Sequence, residues 1–166
     1  QSPRLANTSE RFDAALALSP REAQALRGQV AVHLHHGTRD VLARVAVLDG
    51  DTVEPGATAL VHVSAAAPLA LCRGDRFILR DASAGRTIGG GVALDIAPPA
   101  RHRRAPERLA LLAALRDALP AAALAAWLAR QPVAQERLAS GWNLRGEEQA
   151  ALLAEVGARV AAGVVF

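Results

Sequence analysis

The chain has 166 residues, is 51% hydrophobic and carries a formal charge of +3, so it is long enough for one or two small domains with their own cores. Its only cysteine, Cys72, excludes an internal disulfide and points to a reducing compartment, the cytoplasm. No apolar run is long enough for a membrane-spanning helix, and no signal-peptide pattern is present. The positive balance is carried by arginine alone, because no lysine occurs. Arginine suits bidentate phosphate contacts, but abundant Ala and Arg also follow from GC-rich coding. The positions of the arginines therefore carry more information than their number. A sequence without methionine that begins at Gln1 is expected to be a piece of a longer protein.

Residues 1–9 are polar and read as a frayed or linking lead. Residues 10–18 place Phe12, Ala14, Leu16 and Leu18 on one face of a first strand. Residues 19–28 read as a loop. Residues 29–36 form a strand with Val30, Val32 and Leu34 on one face and Ala31, His33 and His35 on the other. Gly37 to Asp40 is turn-like, and residues 41–48 return as a strand. Asp49-Gly50-Asp51 and Pro55-Gly56 are turn signals. Residues 57–64 form a strand, with Val61 and Val63 opposed to Leu60 and His62. Residues 65–73 are a short strand or an irregular run.

Residues 74–96 predict a β-hairpin. Phe77 and Leu79 alternate with Arg76, Ile78 and Arg80; on the return, Val92, Leu94 and Ile96 alternate with Ala93 and Asp95. Between them, residues 81–85 hold turn formers. Gly89-Gly90-Gly91 removes three side chains in a row, as a barrel corner or a close backbone approach requires. It lacks the Lys-Ser/Thr and the following helix of a phosphate loop. About six or seven short strands without a helix predict a small all-β sandwich or barrel over residues 1–97.

Residues 98–104 read as a linker. From residue 105 the spacing becomes helical: one helix from Pro106 to about Leu119, a second from Pro120, a third from Pro132 to about Ala139. Residues 140–143 read as a turn, and a fourth helix follows with Ala150, Leu152, Leu153 and Val156 as its core face. Residues 159–166 read as a last strand with no partner. That order predicts a truncated winged-helix domain over 105–166, lacking the return strand of its wing.

Two motifs carry a family resemblance. Arg76-Phe77-Ile78-Leu79-Arg80, followed by Gly85-Arg86-Thr87-Ile88-Gly89-Gly90-Gly91-Val92, resembles the end of the C-terminal barrel of elongation factor Tu and its relatives. With Gly74-Asp75 before it and Leu94-Asp95 after it, this version resembles the bacterial selenocysteine-specific elongation factor family. Val32 to Val45 is similar to the second and third strands of the same barrel. The resemblance implies an elongation-factor-Tu-like third domain and part of the first winged-helix domain. It implies a parent GTPase that delivers selenocysteinyl-tRNA to the ribosome at UGA codons. GTP and magnesium would be bound by an N-terminal domain outside this chain, and the fragment itself would hold no cofactor and be no enzyme. An mRNA hairpin would be bound by later winged-helix domains.

By the same resemblance, the tRNA-contacting residues are His35, His36, Thr38 and Arg39 in one motif and Arg80, Ser83, Ala84, Gly85 and Arg86 in the other. Loop residues 21–29 correspond only loosely. Three readings fit His33, His35 and His36: a metal site, a polar outer strand face, or an RNA-backbone contact. Sequence places no Cys, Asp or Glu to complete a metal site. Asp40, Asp75, Asp81 and Asp95 are expected at turns or solvated outer faces, and no catalytic constellation stands out. The run Arg101-His102-Arg103-Arg104 fits either a solvated linker or a further RNA contact. Glu147, Glu148 and Glu155 give the fourth helix an acidic face, which suits a spacer better than a nucleic-acid reader. Two alternatives are a barrel from another translational GTPase with a helical appendage, and a DNA-binding winged-helix regulator.

Overall fold

A computed structural model describes residues 8–83, 85–117, 119–129, 131–142 and 144–166, apart from the side chains of 140 and 141. The expected polar lead over 1–7, Ala84 and the turn residue Asn143 lie outside the described residues. Strands β1 (Thr8–Leu18), β2 (Leu26–Arg27), β3 (Gln29–His36), β4 (Arg39–Val47), β5 (Thr52–Val53), β6 (Thr58–Ala70), β7 (Arg76–Asp81) and β8 (Thr87–Asp95) make up the first part. Six of them close an antiparallel barrel in the order β1-β6-β4-β3-β7-β8, and β8 pairs back onto β1. Strands β2 and β5 pair with each other inside connections read as loop and turn.

The barrel interior is filled by the inward phase of each strand. Phe12, Val32, Leu34, Val45, Val63, Phe77 and Leu79 are all essentially inaccessible. Phe12 meets Phe77 edge-on at 5.5 Å between ring centres. The segment 65–70 is no irregular run: it continues β6 past a register shift opposite Ser9 and Arg11.

The three glycines have a steric cause. Strand β8 lies between β1 and β7, and both backbones come close. A Cβ at Gly89 would sit 2.5 Å from the Ala17 carbonyl oxygen. A Cβ at Gly91 would sit 2.5 Å from Phe77 Cζ and would also strike the Ala15 carbonyl oxygen.

Helices α1 (Pro106–Arg116) and α2 (Pro120–Leu128) follow, then strand β9 (Val133–Ala134), α3 (Gln135–Gly141), α4 (Gly146–Val156), and strands β10 (Val160–Ala161) and β11 (Val164–Val165). Two expectations are corrected here. The chain end is a hairpin and not a lone strand: Ala162 (φ 51°) and Gly163 (φ 76°) turn it back, and β11 pairs with both β10 and β9. Positive φ at an alanine is uncommon, so nothing in the sequence marks this turn. On α4 the buried positions are Gln149, Leu152 and Leu153, whereas Ala150 is exposed. Gln149 Nε2 donates to the Gln135 carbonyl, which holds α4 to the start of α3.

The helices do not hang from a free linker. One apolar cluster joins Leu48, Leu60 and Leu94 of the barrel to Leu112, Leu124, Trp127, Leu138 and Trp142. The outer faces of β6 and β8 are therefore buried as well as the inner ones, and Val61, Leu60, His62, Ala93, Leu94 and Asp95 are all buried. Asp95, expected on a solvated face, is 2% exposed.

Its partner is Arg108 of α1. One terminal nitrogen of Arg108 donates to Asp13 Oδ2 at 2.7 Å and to Asp95 Oδ2 at 2.9 Å. Asp13 Oδ1 accepts from His62 Nδ1 at 2.7 Å. Arginines complete the seam. Arg104 donates to the Leu48 and Gly50 carbonyls, Arg137 to the Ala97 carbonyl, and Arg73 lies 5.8 Å over the Trp142 ring. Burial lowers the pKa of Arg73 from its ordinary value. No helix among the described residues is long and apolar enough to cross a membrane.

Gly91→Ala is expected to cost about 3 kcal/mol or more, because backbone and a packed ring must both move. Gly146→Ala, with open space around it, should stabilise by up to about 1 kcal/mol. Urea denaturation of both variants checks this, and an unchanged midpoint for Gly91→Ala would refute the steric account. Arg108→Met strands two buried carboxylates and should cost about 3–5 kcal/mol, while Asp13→Leu, Asp95→Leu and Arg108→Met combined should cost far less. Trp127 and Trp142 report the transition by fluorescence, and a loss below about 1 kcal/mol for the single variant would contradict the role given to Arg108.

Candidate nucleic-acid interface

The helices cover the β1, β6 and β8 flank, which leaves β4, β3 and β7 as the open flank. Of the sequence-predicted site residues, His35 and Arg80 face outward on it, whereas His36 and Arg39 share the inward phase of Leu34 and Val41 at the end of the barrel, and Ser83, Gly85 and Arg86 sit in the β7–β8 turn. Outward positions form cross-strand rows: Leu42, His33 and Arg80 stand opposite one another in one row, and Asp40, His35 and Ile78 in the next. Leu42 and Ile78 are among the exposed large apolar side chains, so the flank is mixed apolar and basic.

The candidates fall into two groups. His36 stands opposite Arg39 at the β3–β4 turn, with Thr38 between them and exposed. Ser83, Gly85 and Arg86 occupy the β7–β8 turn, where Asp81 N–H donates to the Arg86 carbonyl. Asp81 stands opposite Val32, whereas Arg39 is level with His36. Four strand steps, roughly 13 Å, separate the levels. Arg80 falls between them, next to the register shift in the β7–β8 ladder.

Local bonding divides these side chains further. Arg86 donates from its Nε and a terminal nitrogen to both carboxylate oxygens of Glu22, at 3.0 and 3.1 Å. It also lies 3.4 Å from Asp81. The Glu22 hydrogen bonds, then its charge, raise the Arg86 pKa above the ordinary value. Ser83 is a turn residue: its N–H and hydroxyl both donate to Asp81 Oδ1. Gly85 has φ 71°, which suits a glycine at that turn.

His36 Nε2 donates to Asp75 Oδ2 at 3.1 Å, and the same oxygen accepts from the Cys72 N–H. His33 Nδ1 donates to Asp40 Oδ1 at 3.0 Å, with His35 Nε2 at 3.7 Å from that oxygen. Asp75, half-buried, thus holds a histidine, and Asp40 does so while remaining the exposed outer-face carboxylate that was expected. Among the described residues no group of three such side chains is placed to hold a metal ion. Arg39 and Arg80 are exposed, and no ion pair or hydrogen bond engages either guanidinium among the described residues. Sequence reasoning missed Glu22, Asp40 and Asp75 as partners. The ladder register gives Asp40 away, but nothing local gives away Glu22.

Residues 13–100 match the family described as selenocysteine-specific elongation factor, beta-barrel domain. The chain belongs to that family. It is 36% identical over 127 residues to the selenocysteine-specific elongation factor of Escherichia coli (strain K12), a stretch covering 76% of this chain and 19% of that protein. It is 44% identical over 66 residues to the factor of Desulfomicrobium baculatum, covering 40% of the chain and 10% of that protein. The factor of Haemophilus influenzae is 33% identical over 84 residues, covering 51% and 14%. The matched stretches thus span less than a fifth of each relative. The family assignment removes the alternative of a barrel from another translational GTPase.

Glu22→Ala should release the Arg86 side chain. Its Nε–H should then exchange with water faster, while the amides of the β7–β8 ladder keep their protection. NMR exchange measurements check this, and an unchanged Arg86 signal would mean that the pair is not formed in solution.

Proposed function

We propose that this chain is the tRNA-holding part of a factor that delivers selenocysteinyl-tRNA to the ribosome at UGA codons. The carrying observation is a family barrel that presents Arg80 on its open flank and Arg39 at its β3–β4 end, both exposed and without partners among the described residues, in the two motifs the family resemblance points to. Arg80 is level with His33 and Arg39 with His36, three strand steps or roughly 10 Å apart. They touch separate points of an RNA backbone, with His35, His36, Thr38, Ser83 and Gly85 as the other protein groups and the T stem as the target. Backbone contact of this kind is independent of sequence.

In this reading residues 1–97 are the third domain, 98–104 connect, and 105–166 are the first winged-helix domain. The elements α2, β9, α3, α4, β10 and β11 follow the winged-helix order, and α1 serves as the bracket to the barrel. Glu147 and Glu148 are exposed at the start of α4, where a DNA reader would need the opposite charge. That supports a spacer role, with the mRNA hairpin bound by later domains. GTP and magnesium are bound, and GTP hydrolysed, outside residues 1–166, in the cytoplasm.

Salt titration of tRNA binding by this chain tests the reading. Arg39→Ala and Arg80→Ala should each weaken binding about fivefold and flatten the slope of log affinity against log salt by about one. Arg86→Ala should do less, because Glu22 already balances its charge. Wild-type affinity and slope in both Arg39→Ala and Arg80→Ala would reduce these arginines to a solvated barrel surface.

A further inference from the structure

A second basic feature lies off the open flank. An open groove of about 960 Å³ runs between the barrel and the connecting segment 100–104. One wall is Arg27 to Gln29, and the other is Ala100 to Arg104. Four arginines line it, at positions 27, 101, 103 and 104, with Asp51 as the one carboxylate among the lining residues.

The four do different work. Arg104 is spent on the Leu48 and Gly50 carbonyls and lies 3.5 Å from Asp51. Arg103 donates to the Pro99 and Ala100 carbonyls. These bonds fix the connecting segment against the barrel and so build the second wall. Arg27 and Arg101 are exposed, and neither has a hydrogen bond or ion pair among the described residues. The turn at Arg101-His102 is set by a backbone φ of 58° at His102, a conformation held although a non-glycine residue disfavours it.

His62 also lines the groove and is 4% exposed. Its Nδ1 is committed to Asp13, and its Nε2 is buried with no hydrogen-bond partner among the described residues. No Phe or Trp ring lines the groove. What it offers foremost is guanidinium charge, which suits a phosphodiester.

We infer that this groove binds the phosphodiester backbone of an RNA strand, with Arg27 and Arg101 as the two contacting cations on opposite walls. The inference rests on the tRNA reading for the identity of the polyanion and adds a contact separate from the open barrel flank. It also assigns a use to the 101–104 run, divided between two residues that build the wall and one that faces the ligand.

The test is fluorescence anisotropy of labelled tRNA titrated with this chain across a salt series. It compares wild type, Arg27→Gln with Arg101→Gln, and Arg39→Ala with Arg80→Ala. Both groove residues are exposed and partnerless, so folding is not at stake, and circular dichroism confirms it. The groove pair should lose about tenfold in affinity and flatten the salt slope by roughly two. If the groove pair binds like wild type while the barrel pair is weakened, the groove inference is overturned and the tRNA reading stands. If only the groove pair is weakened, the groove stands and the barrel-flank assignment falls. Absence of tRNA binding by the wild-type chain at low salt overturns the groove inference as well.

Discussion

One guanidinium sets how the two halves of this chain meet. Arg108 is 10% exposed and reaches from α1 to Asp13 on β1 and Asp95 at the end of β8. Burying two carboxylates in a barrel wall is unfavourable unless a counter-charge arrives with good geometry. The barrel alone cannot supply it. His62 satisfies one oxygen of Asp13 and the Ala97 N–H one oxygen of Asp95, and the remaining oxygens turn toward the helix. Such a network adds little net stability over an apolar equivalent, but it penalises every docking in which Arg108 is displaced. The apolar cluster around Trp142 supplies the attraction, and the charges supply the register.

From that register follows the division of the barrel surface. Leu48, Leu60 and Leu94 are outward-facing apolar residues that would form an exposed patch without the helices. Once α1 covers them, the barrel has one dry flank and one wet one. The Val32–Val45 motif and the β7 half of the second motif fall on the wet flank, because β3, β4 and β7 lie away from β1 in the closed order, while the glycine half runs along β8 beside β1. The covering helices thus do not compete with the candidate RNA surface, and they bring the 100–104 segment against the barrel as the wall of a second groove.

The inner barrel was legible because its strands alternate. Phe77 and Leu79 face in, Arg76, Ile78 and Arg80 face out, and the period of two states this directly. Strand β8 was not legible in the same way. Leu94 and Asp95 are buried on opposite faces, so the pattern that separates core from solvent has nothing to separate there. The partner of Asp13 lies 95 positions along the chain and the partner of Arg86 lies 64, distances at which no local period carries information. The closing hairpin escaped for a different reason: its turn is built on Ala162 at positive φ, a conformation that composition argues against. The candidate RNA residues came from motif resemblance. The ladder register could add their grouping into two levels, but not which arginines would be left free.

That last distinction is the one on which nucleic-acid binding turns. Every cation in this chain apart from histidine is an arginine, so charge type cannot sort structural from functional positions. Partners can. A guanidinium with five donors that already faces two carboxylates, a pair of carbonyls or a tryptophan ring must give up those contacts to take a phosphate. Arg108, Arg104, Arg137 and Arg73 are held in this way, all along the seam between barrel and helices. Arg86 is intermediate, because its side chain stays more than half exposed although Glu22 binds it. Among the described residues, Arg80 on the flank, Arg39 at the barrel end, and Arg27 and Arg101 in the groove keep their guanidinium donors for an incoming ligand. The seam therefore does more than join the halves. By occupying the arginines beside it with carbonyls and carboxylates, it leaves the unengaged charge to exposed arginines away from the joint, Arg27 and Arg101 in the groove and Arg39, Arg44, Arg76 and Arg80 on the barrel among them.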